Sequence, residues 1–549
     1  MRGFFIRKLN YLMQKSQVES KAQKELTEPD PPLSTSLQQN IEGFKIALSN
    51  SNDLVVREFS FGKRLSVKAA VLFIDGLASL EIINSSIIEP LMYKTSFLEM
   101  PGVIVDNSIA KIKEAMIASG DVQETGTMNG MLNACLSGDT VLLINGADIG
   151  IIISTKGYEK RAVNEPATES VVRGPREAFT ENLRTNTSLL RRKIRTPNLT
   201  TEMLTLGRRT RTSVCLVYIK GLASEDLLKT VKERLDSINT DAILESGYIE
   251  EYIEDSLLSI FPTMNPSEKP DVVAGRLLEG RVALIIDGSP FVITAPMLFV
   301  ETFQSAEDYY SRPYLASFLR LIRYIGFFIT ILSPAIYVAL STFHQELIPT
   351  NLLISMAAAR EGVPFPAVVE ALVMGLVFEV LREAGIRLPR PVGQAISIVG
   401  ALVMGESAVA AGLIGAPMVI VVALTAVSSF IVPYLEGAAL ILRLTMLILA
   451  ATLGGFGITL GILATLMYLA SLESFGVPYF SPMAPFRPSG IKDTFMRAPL
   501  WQMISRPEGL APENRQRQHI GVPKTINPDA EDDAYDMDER QNSQNDETN

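Results

Sequence analysis

Two acidic residues stand where the surrounding sequence is almost uncharged. Glu370 lies in an apolar stretch from about Phe365 to Leu381, and Glu406 in "VMGESAVAAG", preceded by Gly405 and followed by small residues. A carboxylate near a bilayer centre costs roughly 2.5–3.5 kcal/mol on insertion scales, so it faces protein or water rather than lipid. Rings of such carboxylates select cations, which makes Glu370 and Glu406 candidates for an ion path. Arg443 is expected to pair with one of them across helices. Glu379, on the helix face opposite Glu370, is expected near the membrane interface, where it reaches headgroups or Arg382. The structural alternative for all these charges is a buried ion pair.

A second cluster is basic. In "FTENLRTNTSLLRRKIRTPNL", residues 179 to 199, helical spacing puts Arg184, Arg191 and Arg195 on one stripe. Phe179, Leu183, Leu190 and Ile194 form the adjacent apolar stripe. Gly174-Pro175 reads as the helix start with Glu177 near its positive end, and Pro197 as its stop. Glu181, three residues before Arg184, offers a surface ion pair. One reading is a solvated linker helix. The other is that Arg184, Arg191, Arg192 and Arg195 meet an acidic partner surface or anionic headgroups. Nucleic acid is a poor fit, because the soluble part lacks a wider basic face with interleaved aromatics.

Other chemistry is sparse. Two cysteines, Cys135 and Cys215, and two histidines, His344 and His519, support neither a disulfide framework nor a His/Cys metal site. There is no nucleophile with a base and no phosphate loop, so no enzyme and no cofactor is expected. Gly457-x-x-x-Gly461 is a helix-packing signal. The acids of "DAYDMDE" read as solvated charge.

These residues are carried by two different kinds of chain. The 549 residues have a net charge of −10 and 20% charged residues, but the averages hide a split. Up to about Arg323, short apolar runs alternate with charged ones. From Tyr324 to about Leu472 the chain is largely apolar, and from Pro482 it is polar again. The opening 26 residues have no long apolar core, so no signal peptide is expected and the N-terminal part should stay in the cytoplasm. Tyr324–Phe343 is long enough for one membrane crossing, since about 20 helical residues cover a bilayer core of about 30 Å. A second crossing runs to Leu381, two more fit in Ala395–Leu435, and Gly437–Leu472 fits two shorter ones divided near "LGGFG". The stretch "HQELIPTNLLISMAAAREGVP" reads as interfacial or re-entrant. Basic flanks at Arg320, Arg323, Arg382, Arg387, Arg390, Arg487, Lys492 and Arg497 put both chain ends inside, with four to six crossings.

The soluble part shows a duplication. "VLFIDGLAS" (71–79) is echoed by "LVYIKGLAS" (216–224), and "GDTVLLINGADIGIIIS" (138–154) by "EGRVALIIDGSPFVITA" (279–295). Each reads as strand, Gly turn and capped helix, or as a Gly-turn hairpin. The expected fold is a duplicated α/β soluble region followed by an all-α multi-span membrane domain. Its parts are an extension over 1–51, α/β subdomains over 52–163 and 208–310, and a basic linker helix region over 164–207. A helical membrane domain over 320–475 follows, then a tail over 480–549 that is acidic and disordered after about 525.

"GPREAFTENLRTNTSLLRRKIR" (174–195), together with "LLEGRVALIIDGSPFVITAP" (277–296), resembles the A subunit of bacterial spore germinant receptors, the GerA family. The order of parts is also similar, including "MAPFRPSGIKDTFMRAPLWQM" in the tail, and the likeness covers about residues 50 to 505. The resemblance implies a receptor subunit in the spore inner membrane. Its partners would be a transporter-like B subunit that binds the nutrient, a lipoprotein C subunit and further copies of itself. It implies an oligomeric, nutrient-gated cation channel. In a ring of subunits, Arg184, Arg191 and Arg195 would pair with acids of the neighbour, and reversing Arg191 to Glu would weaken assembly more than folding. A secondary transporter with a site at Gly405-Glu406, and a non-conducting scaffold, are the competing classes.

Overall fold

The structure, a computed structural model, describes residues 32–94, 121–157, 171–387 and 405–517, with short gaps at 63–64, 66, 488–489, 508 and 512–513, and also residues 166, 168 and 169. The first 31 residues, the expected crossing that begins at Ala395 as far as residue 404, Arg390, His519 and the acidic tail lie outside the described residues.

The first unit opens with helix α1 (Leu37–Ala47), followed by β1 (Leu54–Phe61) and β2 (Val67–Ile74). A helical stretch over 80–94 leads on to β3 (Val122–Thr125), α2 (Met128–Leu136), β4 (Thr140–Ile144) and β5 (Gly150–Ile153). The strands form an antiparallel sheet of order β1-β2-β4-β5-β3. Alternation along β2 sends Val71 and Phe73 to one face and Leu72 and Ile74 to the other. The first face meets Ile83, Ile87 and Leu91, and the second meets α1 and α2 through Leu37, Ile41, Phe44 and Leu132.

The second unit repeats this plan. It runs α3 (Leu183–Lys193), β6 (Leu199–Leu206), β7 (Thr212–Ile219), α4 (Glu225–Ser237), α5 (Ser246–Ile253), β8 (Asn265–Ser267), α6 (Pro270–Leu277), β9 (Val282–Ile286) and β10 (Val292–Ala295). Its sheet order is β6-β7-β9-β10-β8, and the register recurs as well: Leu54 faces Ile74, and Leu199 faces Ile219. Ser79 accepts a cap bond from the Ile82 N–H, whereas Ser224 holds the N-cap position without a side-chain bond.

The repeat also contains the two leading helices, which revises the expected boundaries. Asn40 accepts from the Ser34 N–H and donates to its carbonyl; Asn186 does the same with Thr180. Helix α1 therefore belongs to the first unit rather than to an extension ending at 51. The basic helix α3 is the first helix of the second unit rather than a linker. Leu183, Leu190 and Ile194 pack beside α6 on Cys215, Val217 and Ile285.

The helical region comprises α7 (Pro313–Thr342), α8 (Thr350–Arg360), α9 (Ala367–Arg387), α10 (Gly405–Ala410), α11 (Ala416–Ser429) and α12 (Glu436–Ser471). Among the described residues, Pro313–Thr342 and Pro433–Ser471 are long and apolar enough to cross a membrane. The latter is not one rod. Gly454 breaks it at φ 61°, ψ −140°. Gly461 then packs on Met446 and Leu449, and Leu469 joins Leu435 and Ala438 in one cluster. The two arms thus form a helical hairpin about "LGGFG", each arm about 26 Å long at 1.5 Å per residue.

The helical region is bolted to the second unit. Phe261, Phe299 and Phe303 pack with Tyr324, Phe327 and Tyr479, and Phe303 stacks on Tyr324 at 4.1 Å. Arg320, fully buried, bridges Asp308 (3.1 Å) and Asp493 (2.8 Å), while Arg323 holds Asp308 at 2.8 Å. The residues after the last helix return to the second unit, where Leu510 and Ala511 are buried.

Candidate functional site in the helical region

Helix α9 carries two of the charges read from sequence; Glu370 has a different partner from the one expected, and Glu379 has Arg382, as expected, together with Arg443. Glu370 lies in its first turn, with its side chain wholly buried. Arg360, the last residue of α8, donates to one carboxylate oxygen at 3.1 Å, and the Gly415 N–H donates to the other at 2.9 Å. Gly415 is the N-cap of α11, whose Pro417 removes one of the free donors at that end. A carboxylate at this point completes a helix start and neutralises an arginine.

Arg443 does not reach Glu370 or Glu406. It donates to Glu379, whose other oxygen is 2.7 Å from Arg382, and Arg382 in turn reaches Glu436 at 2.8 Å. Helical spacing brings this about: Glu379 and Arg382 are one turn apart on α9, and Glu436 and Arg443 lie two turns apart on α12. Glu379 thus takes Arg382, one of its two expected partners, and sits inside a four-charge relay. Opposite charges at this separation attract strongly where water is excluded, so the relay fixes α9 against the first arm of α12.

Beside the relay lies a cavity of about 450 Å³, lined by Pro334, Ala371, Gly375, Phe378, Thr425 and Leu447, with Glu379 and Arg443 on its wall. Glu406 is different again. It stands in the first turn of α10 and is exposed. Within one chain it is therefore not buried against the bundle. At the far end of the hairpin, the His344 Nε2 accepts from the Gly455 N–H at 3.0 Å.

The basic cluster also resolves differently. Helix α3 begins at Leu183, capped by Asn182, so Gly174-Pro175 is not its start and Arg195 lies beyond its end. Arg191 is 1% exposed and is bound inside the chain. Its Nε donates to Asp53 Oδ2 at 2.6 Å, and its Nη2 to Asp53 Oδ1 and Ser51 Oγ at 3.0 Å each. The Thr201 N–H donates to the same Ser51 hydroxyl at 3.0 Å. The expected contact of Arg191 with a neighbouring subunit is therefore replaced by a clamp between the two units. Arg184 pairs with Asp75 at 3.3 Å rather than with Glu181. Glu177 takes Arg192 at 3.0 Å and Lys193 at 3.2 Å.

Several partners escaped the sequence reading. Arg360, Glu379 and Arg382 were visible as charges, but their pairing depends on how α8, α9 and α12 meet. Asp53, in a loop, and Asp308, in the short helix Glu307–Tyr310, precede their partners with no motif to mark them. Tyr434, between α11 and α12, donates to Glu169, which also accepts from Ser267. Burial raises the Glu169 carboxyl above its ordinary range, against the lowering effect of those two hydroxyls.

The chain was compared with known proteins. A sequence model described as Bacillus/Clostridium GerA spore germination protein matches residues 42–509. Spore germination protein KA of Bacillus subtilis (strain 168) is 47% identical over 488 residues, covering 88% of this chain and 89% of that protein. Spore germination protein GerLA of Bacillus cereus is 40% identical over 468 residues, covering 84% and 93%. The crystal structure of the N-terminal domain of the A subunit of the Bacillus megaterium spore germinant receptor GerK3 is 35% identical, with a TM-score of 0.41 over 50% of this chain and 99% of that one. This chain belongs to the GerA family of spore germination proteins.

Proposed function

We propose that the chain is the A-type subunit of a nutrient-sensing germinant receptor and that several copies together form a cation channel in the spore inner membrane. Both chain ends lie on the cytoplasmic side, and the receptor is completed by a transporter-like B subunit and a lipoprotein C subunit. The observation that carries the channel reading is Glu406, a carboxylate exposed on a lone chain within the apolar stretch "VMGESAVAAG". Leu376, Ile420, Val427 and Phe456 are exposed there too and suit lipid or another copy, whereas Glu406 does not suit lipid. A ring of copies around a wet axis accommodates both and gives the axis cation preference. Glu370 and Arg443, already paired within one chain, act in this reading as supports that hold the helices in register.

The test is monovalent-cation current across a planar bilayer holding the purified chain, beside its Glu406→Gln variant. A current whose cation preference falls in the variant supports a pore lined by Glu406. A current indifferent to the change moves the lining elsewhere. No current from an oligomeric preparation, with or without the B and C subunits, favours the scaffold.

A further inference from the structure

The duplication gives an internal comparison between two equivalent places. In the second unit, Gly280, just before β9, approaches Leu222 of the "GLAS" loop, and the chain's own Leu510 and Ala511 fill the space beside them. A Cβ on Gly280 would lie 2.8 Å from both the Leu222 and Leu510 carbonyl oxygens and 2.9 Å from Ala511. In the first unit, Gly138, just before β4, approaches Leu77 of the matching loop in the same way, at 3.2 Å from its carbonyl oxygen. There the Lys156 side chain, its Cγ 3.4 Å away, stands where Leu510 and Ala511 stand in the second unit. A cavity of about 300 Å³ lies beside it, lined by Leu77, Leu136, Ser137, Lys156, Arg192 and Arg195.

The charge of this cavity selects its ligand. Lys156 is held by Asp139 at 3.2 Å, and Arg192 shares Glu177 with Lys193. Among the described residues, Arg195 has no ion pair or side-chain hydrogen bond. Arg195 is thus the cation of this wall left to meet an anion among the described residues. The Ser137 hydroxyl adds a donor, and Arg192 and Arg195 present planar forks suited to phosphate oxygens. The volume is at the low end of the range for small-molecule sites, roughly 300–1,000 Å³.

We propose that this cleft binds a small phosphate-bearing anion, which links the first unit, through Ser137 and Lys156, to the basic helix of the second, through Arg192 and Arg195. The phosphate is that of a soluble monoester or inorganic phosphate. The cleft is lined by the two units alone, whereas the helical region packs on the second unit through Phe261 and Phe299, neither of which lines it. A bound anion braces the seam that Arg191 and Asp53 already clamp, so occupancy stiffens one unit against the other.

Thermal unfolding of the full chain in detergent, titrated with inorganic phosphate against chloride at matched ionic strength, tests this. The expected result is a saturable rise in Tm with phosphate, weakened at least tenfold in affinity in Arg195→Gln and in Lys156→Gln. Both are exposed positions, so the unliganded Tm should hold. Glycerol 3-phosphate should bind like phosphate, and dihexanoylphosphatidylglycerol below its micelle concentration should bind much more weakly. A lipid diester that binds as tightly as phosphate would assign the cleft to a headgroup and overturn the soluble ligand. Absence of a saturable rise, or equal affinity in wild type and both variants, would overturn the site.

Discussion

Arg191 and Asp53 meet Nε to Oδ2 at 2.6 Å, with side chains 1% and 7% exposed, at the seam between the two duplicated units. Removing one partner of such a pair strands a buried charge and costs about 3–5 kcal/mol. Arg191→Glu, which sets two carboxylates face to face, should therefore lower the Tm of the chain more than Arg191→Ala does. Arg184→Glu should stay within about 0.5 kcal/mol, because Arg184 is 71% exposed and its pair with Asp75 is screened. Thermal unfolding beside a measurement of oligomer size separates the two roles. A folded Arg191→Glu chain that merely fails to assemble would restore the surface reading.

The contrast shows where the sequence was legible. Short apolar runs ended by Gly announced β2, β4, β7 and β9, because a buried strand and its turn are both local facts. The helical repeat of the basic run was equally local, and its apolar stripe does pack. What spacing along one helix cannot reveal is which stripe meets a distant segment, so Arg191 looked exposed and its partner, in the loop before β1, had no signature. The Asn40 and Asn186 motifs were readable, as Ser or Thr six residues before Asn, but only once the two helices are aligned. In the helical region the charges were legible one by one. Their pairings were not, since Glu379 meets Arg443 only through the packing of α9 on α12.

Gly454 turns the α12 hairpin in a conformation that L side chains rarely adopt. A Cβ there would also lie 2.9 Å from the Phe343 side chain. Gly454→Ala should destabilise the chain by about 1–3 kcal/mol from the backbone alone. Gly437→Ala, in the first turn of the same element with open space around it, should be neutral or stabilising by up to about 1 kcal/mol. Their Tm values in detergent should move in opposite directions, and equal losses would argue against the hairpin.

Glu370 and Glu406 should respond differently to the same isosteric change. Glu370→Gln leaves Arg360, 23% exposed, without its counter-charge, so it should lower Tm, at a cost below the roughly 3–5 kcal/mol of a fully buried pair. Glu370→Ala should lower it further, because the Gly415 N–H also loses its acceptor. Glu406→Gln, at an exposed position, should leave Tm nearly unchanged while lowering cation preference in the bilayer. Reversal potentials measured beside unfolding curves decide this, and the assignment fails where Glu370→Gln alters selectivity at unchanged stability.

Stability should also fall with rising pH in the second unit, for a reason that can be signed. Burial, joined by the like charges of Glu254 and Glu245, pushes the Glu250 carboxyl up to about 7. The folded chain thus holds this proton more tightly than the unfolded one, whose carboxyl keeps a pKa near 4.3. The stabilisation is complete below the unfolded value and is lost as pH rises through about 7. Glu250→Gln keeps the shape and removes the titration. Variant and wild type should match at about pH 4, and the variant should unfold at higher temperature at pH 8. Glu254, also raised chiefly by burial, keeps part of the slope in the variant. A Tm difference constant across that range would mean that Glu250 titrates as an ordinary surface carboxylate.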